Sequence, residues 1–151
     1  MNERDLIGLV MAALGSLGFA MLFNVRGKKL AISALGGLLS WGTYLLAYAH
    51  LAHMALCYAL AAMLAGLFSL VMARVLRAPS TEFLVPALVP LIPGGALYYA
   101  MFAAVTGDWD AFLLRGAEAL TIAAAISVGQ AVAPSLDLLL RGGLIKRRHK
   151  L

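Results

Sequence analysis

The chain has 151 residues, of which 63% are hydrophobic and 13% are charged, and its formal net charge is +5. A soluble domain carries about 25% charged residues, so this composition excludes an ordinary soluble protein and indicates an integral membrane protein. The positive charge does not indicate nucleic-acid binding, because the basic residues lie in short loops and near the carboxyl end.

Five apolar runs are long enough to cross about 30 Å of hydrocarbon as α-helix. We therefore predict an all-α membrane protein with about five transmembrane helices, forming one domain over residues 1–151. The runs are 6–23, 30–49, 54–73, 83–105 and a fifth whose charge-free core is 119–136. The amino end before the first run has mixed charge, unlike the basic start of a secretory signal, which predicts a retained span.

The first and fifth runs carry small residues at every fourth position, so that each forms a smooth ridge along its helix. Such ridges allow close approach of helix backbones in lipid. The alternative is that alanine and glycine are simply abundant in this chain. If the ridges are functional, we expect one of them to bind a partner protein. The ridge residues are Gly8, Ala12, Ser16 and Ala20, and Ala117, Thr121, Ala125, Gly129 and Ala133.

The second and third runs contain little that indicates chemistry. Cys57 is the one cysteine, so no intrachain disulfide is possible. His50 and His53 have the spacing of a metal-binding pair, but no third ligand accompanies them. We predict neither a metal site nor a cofactor.

The fourth run is interrupted at its middle by prolines and a glycine pair. Proline removes a backbone donor and clashes with the preceding turn, so a break in lipid requires protein or a water-filled cavity around the freed carbonyls. We predict that the span is broken at Pro93-Gly94-Gly95 and that a second half-helix begins near Ala96. Its amide groups and positive dipole end would face a cavity near the membrane midplane.

This half-helix end is the predicted substrate site, because it suits a carboxylate. The alternative is a proline-kinked helix that packs against its neighbours and binds nothing. Gln130 lies deep in the fifth run and is added as a candidate, although interhelical hydrogen bonding is the ordinary role of such a residue. The candidate substrate-binding residues are Pro90, Pro93, Gly94, Gly95, Tyr98 and Gln130.

Glu118 is the candidate for ion coupling, because an intramembrane carboxylate commonly serves proton or cation transport. The alternative places it at the outer interface, paired with Arg115 one turn earlier. The boundary of the fifth helix decides between the two.

Basic residues follow the first, third and fifth runs, and ten of the twelve share one side of a five-span topology. The other side receives the amino end and the acidic turn at Asp108 and Asp110. The positive-inside bias then predicts the amino end outside and a basic cytoplasmic tail, 137–151, that binds anionic lipid. The predicted location is the cell inner membrane.

Two segments carry a resemblance to a known family. Gly18-Phe-Ala-Met-Leu-Phe-Asn-Val25 and Val89-Pro-Leu-Ile-Pro-Gly-Gly-Ala-Leu-Tyr98, followed by Ala100-Met101, occur in order. They resemble the small, YjjB-like subunit of the threonine/serine exporter family, which corresponds to the carboxyl-terminal half of fused exporters. The resemblance covers nearly the whole chain.

This resemblance implies a subunit of a secondary exporter for threonine and serine, or for a dicarboxylate such as succinate, that works with a larger membrane partner. An oligomer is also possible. No nucleotide-binding loop is present, so ATP hydrolysis is unsupported, and the polar residues are too dispersed for an enzyme. The alternative function is a structural or assembly subunit that does not line the transport path.

Overall fold

The computed structural model describes residues 3–51 and 53–148, with side chains described up to residue 140. Within these ranges all regular structure is helical, which confirms the predicted all-α class. Residues 1, 2, 52 and 149–151, together with the basic side chains of the predicted tail, lie outside the described part. The helices are α1 (Glu3–Leu22), α2 (Lys28–His50), α3 (Met54–Val75), α4 (Thr81–Leu88), a 3-10 turn (Val89–Leu91), α5 (Gly94–Thr106) and α6 (Trp109–Arg148).

Four of these helices are long and apolar enough to span a membrane, and the number is five if a bent pair of helices forms one span. The pair comprises Thr81–Leu91 and Gly94–Thr106, whose axes differ by 55°. The predicted broken fourth span is thereby confirmed. α6 has 40 residues, so it begins ten residues before the predicted apolar core and continues through the segment predicted as a tail.

The early start of α6 has a local cause. Gly107 has the left-handed conformation (φ 79°) that ends α5, and Asp108 follows it. The Asp108 carboxylate accepts a hydrogen bond from the Ala111 amide at 3.0 Å, which caps the new helix. The turn between α5 and α6 is therefore only two residues long.

The contacts between helices fix the direction of each crossing. α3 and α6 run parallel, because Gly129 lies against Ala62, Ala133 lies against Gly66 and Asp137 pairs with Arg74. A parallel pair requires the segment between them to return the chain across the bundle. The α4–α5 pair is therefore a crossing and not a re-entrant loop, which would have left α6 antiparallel to α3.

One end of the bundle collects the described basic connections. α2 and α4 also run parallel, with Lys29 Nζ 2.9 Å from Glu82 Oε2 near their starts. The loop after α1, the loop after α3 and the end of α6 thus lie together, as the charge pattern predicted. That this end faces the cytoplasm stays a prediction.

Most positions of the two small-residue ridges are packed inside the chain, whereas Ala117 and Thr121 are exposed. Ala12, Ser16 and Ala20 are buried, and a β-carbon added to Gly37 of α2 would collide with Ser16. A β-carbon added to Gly129 would collide with the carbonyl oxygen of Ala59 in α3. The expectation that a partner binds these ridges is therefore wrong at their buried positions, because α2 and α3 already occupy them.

Candidate functional site

The break in the fourth crossing lies near the middle of the bundle. Leu91, the last residue of the 3-10 turn, is fully buried against Ala61 and Ala62, near the midpoint of α3. Ile92 is extended, Pro93 occupies the N-cap position, and α5 begins at Gly94. The second half therefore begins two residues earlier than predicted, because Gly94 and Gly95 are themselves helical.

Two buried serines of α2 satisfy the backbone of the broken helix. Pro86 has no amide hydrogen for the carbonyl of Glu82. The Ser33 hydroxyl lies 3.4 Å from that carbonyl oxygen and 3.0 Å from the Lys29 carbonyl oxygen of its own helix, so the two acceptors share one donor. Where the α-helix tightens into the 3-10 turn, Ser40 Oγ donates to the Ala87 carbonyl at 2.6 Å. Both serines have zero exposure. The protein thus supplies the donors that a proline-interrupted helix requires in lipid.

An aromatic cluster supports the break from the other side of Leu91. The rings of Trp41 and Tyr44 stack with centroids 5.0 Å apart, and the ring centroids of Tyr44 and Tyr58, a residue of α3, are 4.6 Å apart. All three pack against the core that contains Leu91. The first half of the crossing is therefore held by α2 and α3 together.

The second half is held much less firmly. α5 packs mainly on α6, and it buries only Ala100 and Ala103 among its residues. Gly94 and Gly95 are exposed, and a β-carbon added to either would meet nothing within 4 Å. The Gly94 amide donates to Ile92 at 2.7 Å, while the next two amides belong to the helix start, where no intrahelical acceptor exists.

The remaining candidates separate into two cavities. Pro90 lines a groove of about 280 Å³ with Gly8, Met11, Ala12 and Trp41, between α1, α2 and the 3-10 turn. Gln130 lines a cleft of about 290 Å³ between α3, α4 and α6. The structure therefore does not bring Gln130 together with the glycine pair.

Tyr98 and Tyr99 point to different surroundings. Tyr98 is 64% exposed. Tyr99 lines a pocket at the α5–α6 turn, and its ring centroid is 6.0 Å from the guanidinium carbon of Arg115. Of the two tyrosines, Tyr99 is the one beside a charged group.

Glu118 forms an ion pair with Arg115 at 3.0 Å, and about a third of its side chain is exposed. The pairing with Arg115 is the one named in the alternative to ion coupling, but α6 begins nine residues before Glu118, so the helix boundary does not place the pair at the interface. An exposed pair of this kind is typically worth less than about 1 kcal/mol.

Sequence reasoning missed Ser33 and Ser40, which hold the break. A signal was present, since the buried residues of α2 are Ser33, Gly36, Gly37 and Ser40, a small polar stripe with helical spacing. The stripe resembles the small-residue ridges of the first and fifth runs. It differs in containing two hydroxyl donors, Ser33 and Ser40, which can replace the amide hydrogens that the prolines of the fourth run lack.

Comparison with known families gives one match. The model described as "Threonine/Serine exporter, ThrE" matches residues 8–136, which include most of α1, all of α2 to α5 and most of α6. This confirms the family resemblance inferred from the two motifs. No solved structure matches the chain.

Proposed function

Since this chain belongs to the threonine/serine exporter family, we propose that it is one subunit of a secondary exporter for small carboxylate metabolites. The substrates in this proposal are threonine and serine, or a dicarboxylate such as succinate. The subunit works in the inner membrane with a larger partner of the same family, and its amino end faces outside.

The observation that carries the proposal is the asymmetric break near the middle of the bundle. The amides of Gly95 and Ala96 lie at the start of α5, where no intrahelical carbonyl accepts from them. The helix dipole adds partial positive charge at the same point, which favours a carboxylate. Discontinuous helices serve transporters in this way, with half-helix amino ends directed at anionic substrate groups.

The need for a partner follows from the helix count. Alternating access commonly takes place between two related bundles, and this chain supplies five crossings with one break. α5 leaves much of its surface outside the bundle, including Met101 and Val105 at 70% and 87% exposure. In the assembled exporter this surface contacts lipid or the larger subunit.

The competing function is a structural subunit that lies outside the transport path. It is favoured by the empty surroundings of Gly94 and Gly95, because a β-carbon at either position would meet nothing within 4 Å in the described part of the chain. Cross-linking distinguishes the two functions. A photoreactive substrate analogue should label the segment around Pro93 if that segment lines the path, and should leave it unlabelled if the subunit is structural.

The proposal is tested by a matched pair of substitutions at Gly95. Gly95→Asp places a carboxylate at the start of α5, where it competes with the substrate carboxylate for the same amides. Gly95→Asn has the same shape without the charge. With the larger subunit present, we expect at least tenfold lower efflux of labelled threonine, serine or succinate for Asp and a much smaller loss for Asn.

Membrane levels of both variants must match the wild type, so that lost insertion is not mistaken for lost transport. If both variants show the same efflux as the wild type, the start of α5 is not a carboxylate site. Robust efflux from vesicles that contain only this chain would overturn the need for a partner.

A further inference from the structure

The cleft between α3, α4 and α6 has a chemistry different from that of the break. It holds about 290 Å³, and its polar lining comes from Ser69, Ser80, Gln130 and the backbone beside Pro134. The residues belong to three separate elements, so the cleft is built by the tertiary fold. We call it the α3–α4–α6 cleft.

Pro134 leaves a backbone carbonyl available in this cleft. It lies inside α6 and has no amide hydrogen to donate to the carbonyl of Gln130, four residues earlier. Residues four apart lie on the same helix face, and both Gln130 and Pro134 line the cleft. The Gln130 carbonyl oxygen, which lies between them, is therefore on the cleft side of α6.

The chain treats this carbonyl differently from the one freed by Pro86. The Glu82 carbonyl has the Ser33 hydroxyl, which it shares with Lys29, within 3.4 Å. Two donors of the cleft lining are directed to other carbonyls, since Ser69 Oγ donates to Ala65 at 2.7 Å and Gln130 Nε2 donates to Ala62 at 2.5 Å. A ligand in the cleft would supply the partner that Pro134 cannot provide for this carbonyl.

The side chains around this carbonyl add further acceptors. The bond to Ala62 orients the Gln130 amide so that its oxygen lies over Gly66, 3.1 Å from the place of a β-carbon. The Ser69 hydroxyl has given its hydrogen to Ala65, which leaves its lone pairs. Ser80 stands at the N-cap of α4 without forming a side-chain cap bond. The cleft thus offers neutral oxygen atoms.

We propose that the α3–α4–α6 cleft is a subsite for a singly charged cationic group, held by the Gln130 carbonyl, the Gln130 amide oxygen and the serine hydroxyls. Backbone carbonyls that lack a helical donor coordinate such cations in transporters, and in the continuous helix α6 the Gln130 carbonyl lacks one because of Pro134. No carboxylate lines the cleft, whereas divalent ions usually take carboxylate ligands, so a single charge is expected. Glu82 and Asp137, which are close in sequence to the lining residues Leu84 and Pro134, pair with Lys29 and Arg74.

Two species carry this chemistry, namely inorganic Na⁺ and the α-ammonium group of an amino-acid substrate. The physiological role of the subsite rests on the proposed export function, but binding can be measured without transport. The purified full-length chain is placed in choline chloride at constant ionic strength, and its thermal unfolding is followed as NaCl, L-threonine or 3-hydroxybutyrate is added. The last compound keeps the carboxylate and hydroxyl of threonine and lacks the ammonium group.

Stabilisation by NaCl identifies the inorganic cation. Stabilisation by L-threonine without an effect of 3-hydroxybutyrate identifies the substrate ammonium. The proposal is overturned if neither NaCl nor L-threonine stabilises the protein. It is also overturned if threonine and 3-hydroxybutyrate stabilise the protein equally while NaCl has no effect.

The decisive variant is Pro134→Ala, which restores an amide donor to the Gln130 carbonyl and makes α6 more regular. A purely structural view predicts a more stable protein with unchanged ligand response. The proposal predicts a stable protein whose affinity for the active ligand falls at least about tenfold, as expected when a hydrogen bond to a charged group is lost. Gln130→Leu should show a similar loss, and Ser127→Ala, on an exposed face of α6, is the control.

Wild-type affinity in Pro134→Ala would also overturn the subsite. If the wild-type pair of subunits exports threonine while Pro134→Ala binds normally, the subsite is wrong and the export function stands. If the cleft binds its ligand but the pair exports nothing, the export function fails by itself.

Discussion

Alanine substitutions at two glycines of α6 separate helix propensity from close packing. Gly116 has open space around the position of a β-carbon. At Gly129 the added carbon would collide with the Ala59 carbonyl oxygen and would lie 3.0 Å from both the Ala62 side chain and the Met63 amide nitrogen. Two of these neighbours are backbone atoms, which cannot rotate away as a side chain would.

The expected free energies follow from these two environments. Glycine to alanine inside a helix stabilises by about 1 kcal/mol, and both variants receive this gain. Overpacking a close contact costs about 1–3 kcal/mol, and only Gly129→Ala suffers it. Gly116→Ala should therefore unfold at higher denaturant than the wild type, whereas Gly129→Ala should lie about 1–3 kcal/mol below Gly116→Ala.

The assay is reversible unfolding in mixed micelles, followed by far-ultraviolet circular dichroism. If Gly129→Ala is as stable as Gly116→Ala, α3 and α6 do not approach as closely as described. The parallel arrangement that makes α4–α5 a crossing would then lose its main support.

Three further predictions test other parts of the structure. In a Cys57→Ser background, cysteines at Asp108 and Arg77 should react with impermeant reagents from opposite sides of the membrane; labelling from one side would reject the five-span topology. Ser40→Ala should destabilise the protein by about 1–3 kcal/mol because it leaves the buried Ala87 carbonyl unpaired. Ser33→Ala should cost less, because the Ser33–Glu82 bond is 3.4 Å long and the Ser40–Ala87 bond is 2.6 Å long. The reverse order of stability in thermal unfolding would contradict this account of the break. Glu118→Gln should change the free energy of unfolding by less than about 1 kcal/mol, because the ion pair of Glu118 with Arg115 is partly exposed. It should also leave the pH dependence of efflux unaltered. A shifted pH profile would instead assign Glu118 to ion coupling.

The sequence predicted the crossings well because hydrophobic length alone determines what spans a bilayer. It also predicted the broken crossing, since three prolines in one apolar run leave few alternatives. The start of α5 was misjudged by two residues because glycine was taken as a breaker. In the structure Pro93 makes the break, and Gly94 and Gly95 lie within the first helical turn.

The partners of the freed carbonyls were not predicted, because they depend on which helices become neighbours. Ser33 and Ser40 belong to α2, about 50 residues before the prolines whose backbone they satisfy. The two ridges show the same limit. Their spacing predicts close packing, but nothing in the spacing distinguishes an internal neighbour from another protein.

The unequal anchoring of the two halves determines where this crossing can change shape at least cost. Displacing α4 would break the bonds from Ser33 and Ser40 and the Lys29–Glu82 ion pair, and it would expose Phe83, which is fully buried. Displacing α5 would disturb mainly its contact with α6, because α5 buries only two alanines. A hinge at Ile92 and Pro93, where the backbone leaves helical geometry, would therefore disturb the fewest contacts. A motion there moves the amino end of α5, the proposed carboxylate site, while α1 to α4 keep their packing.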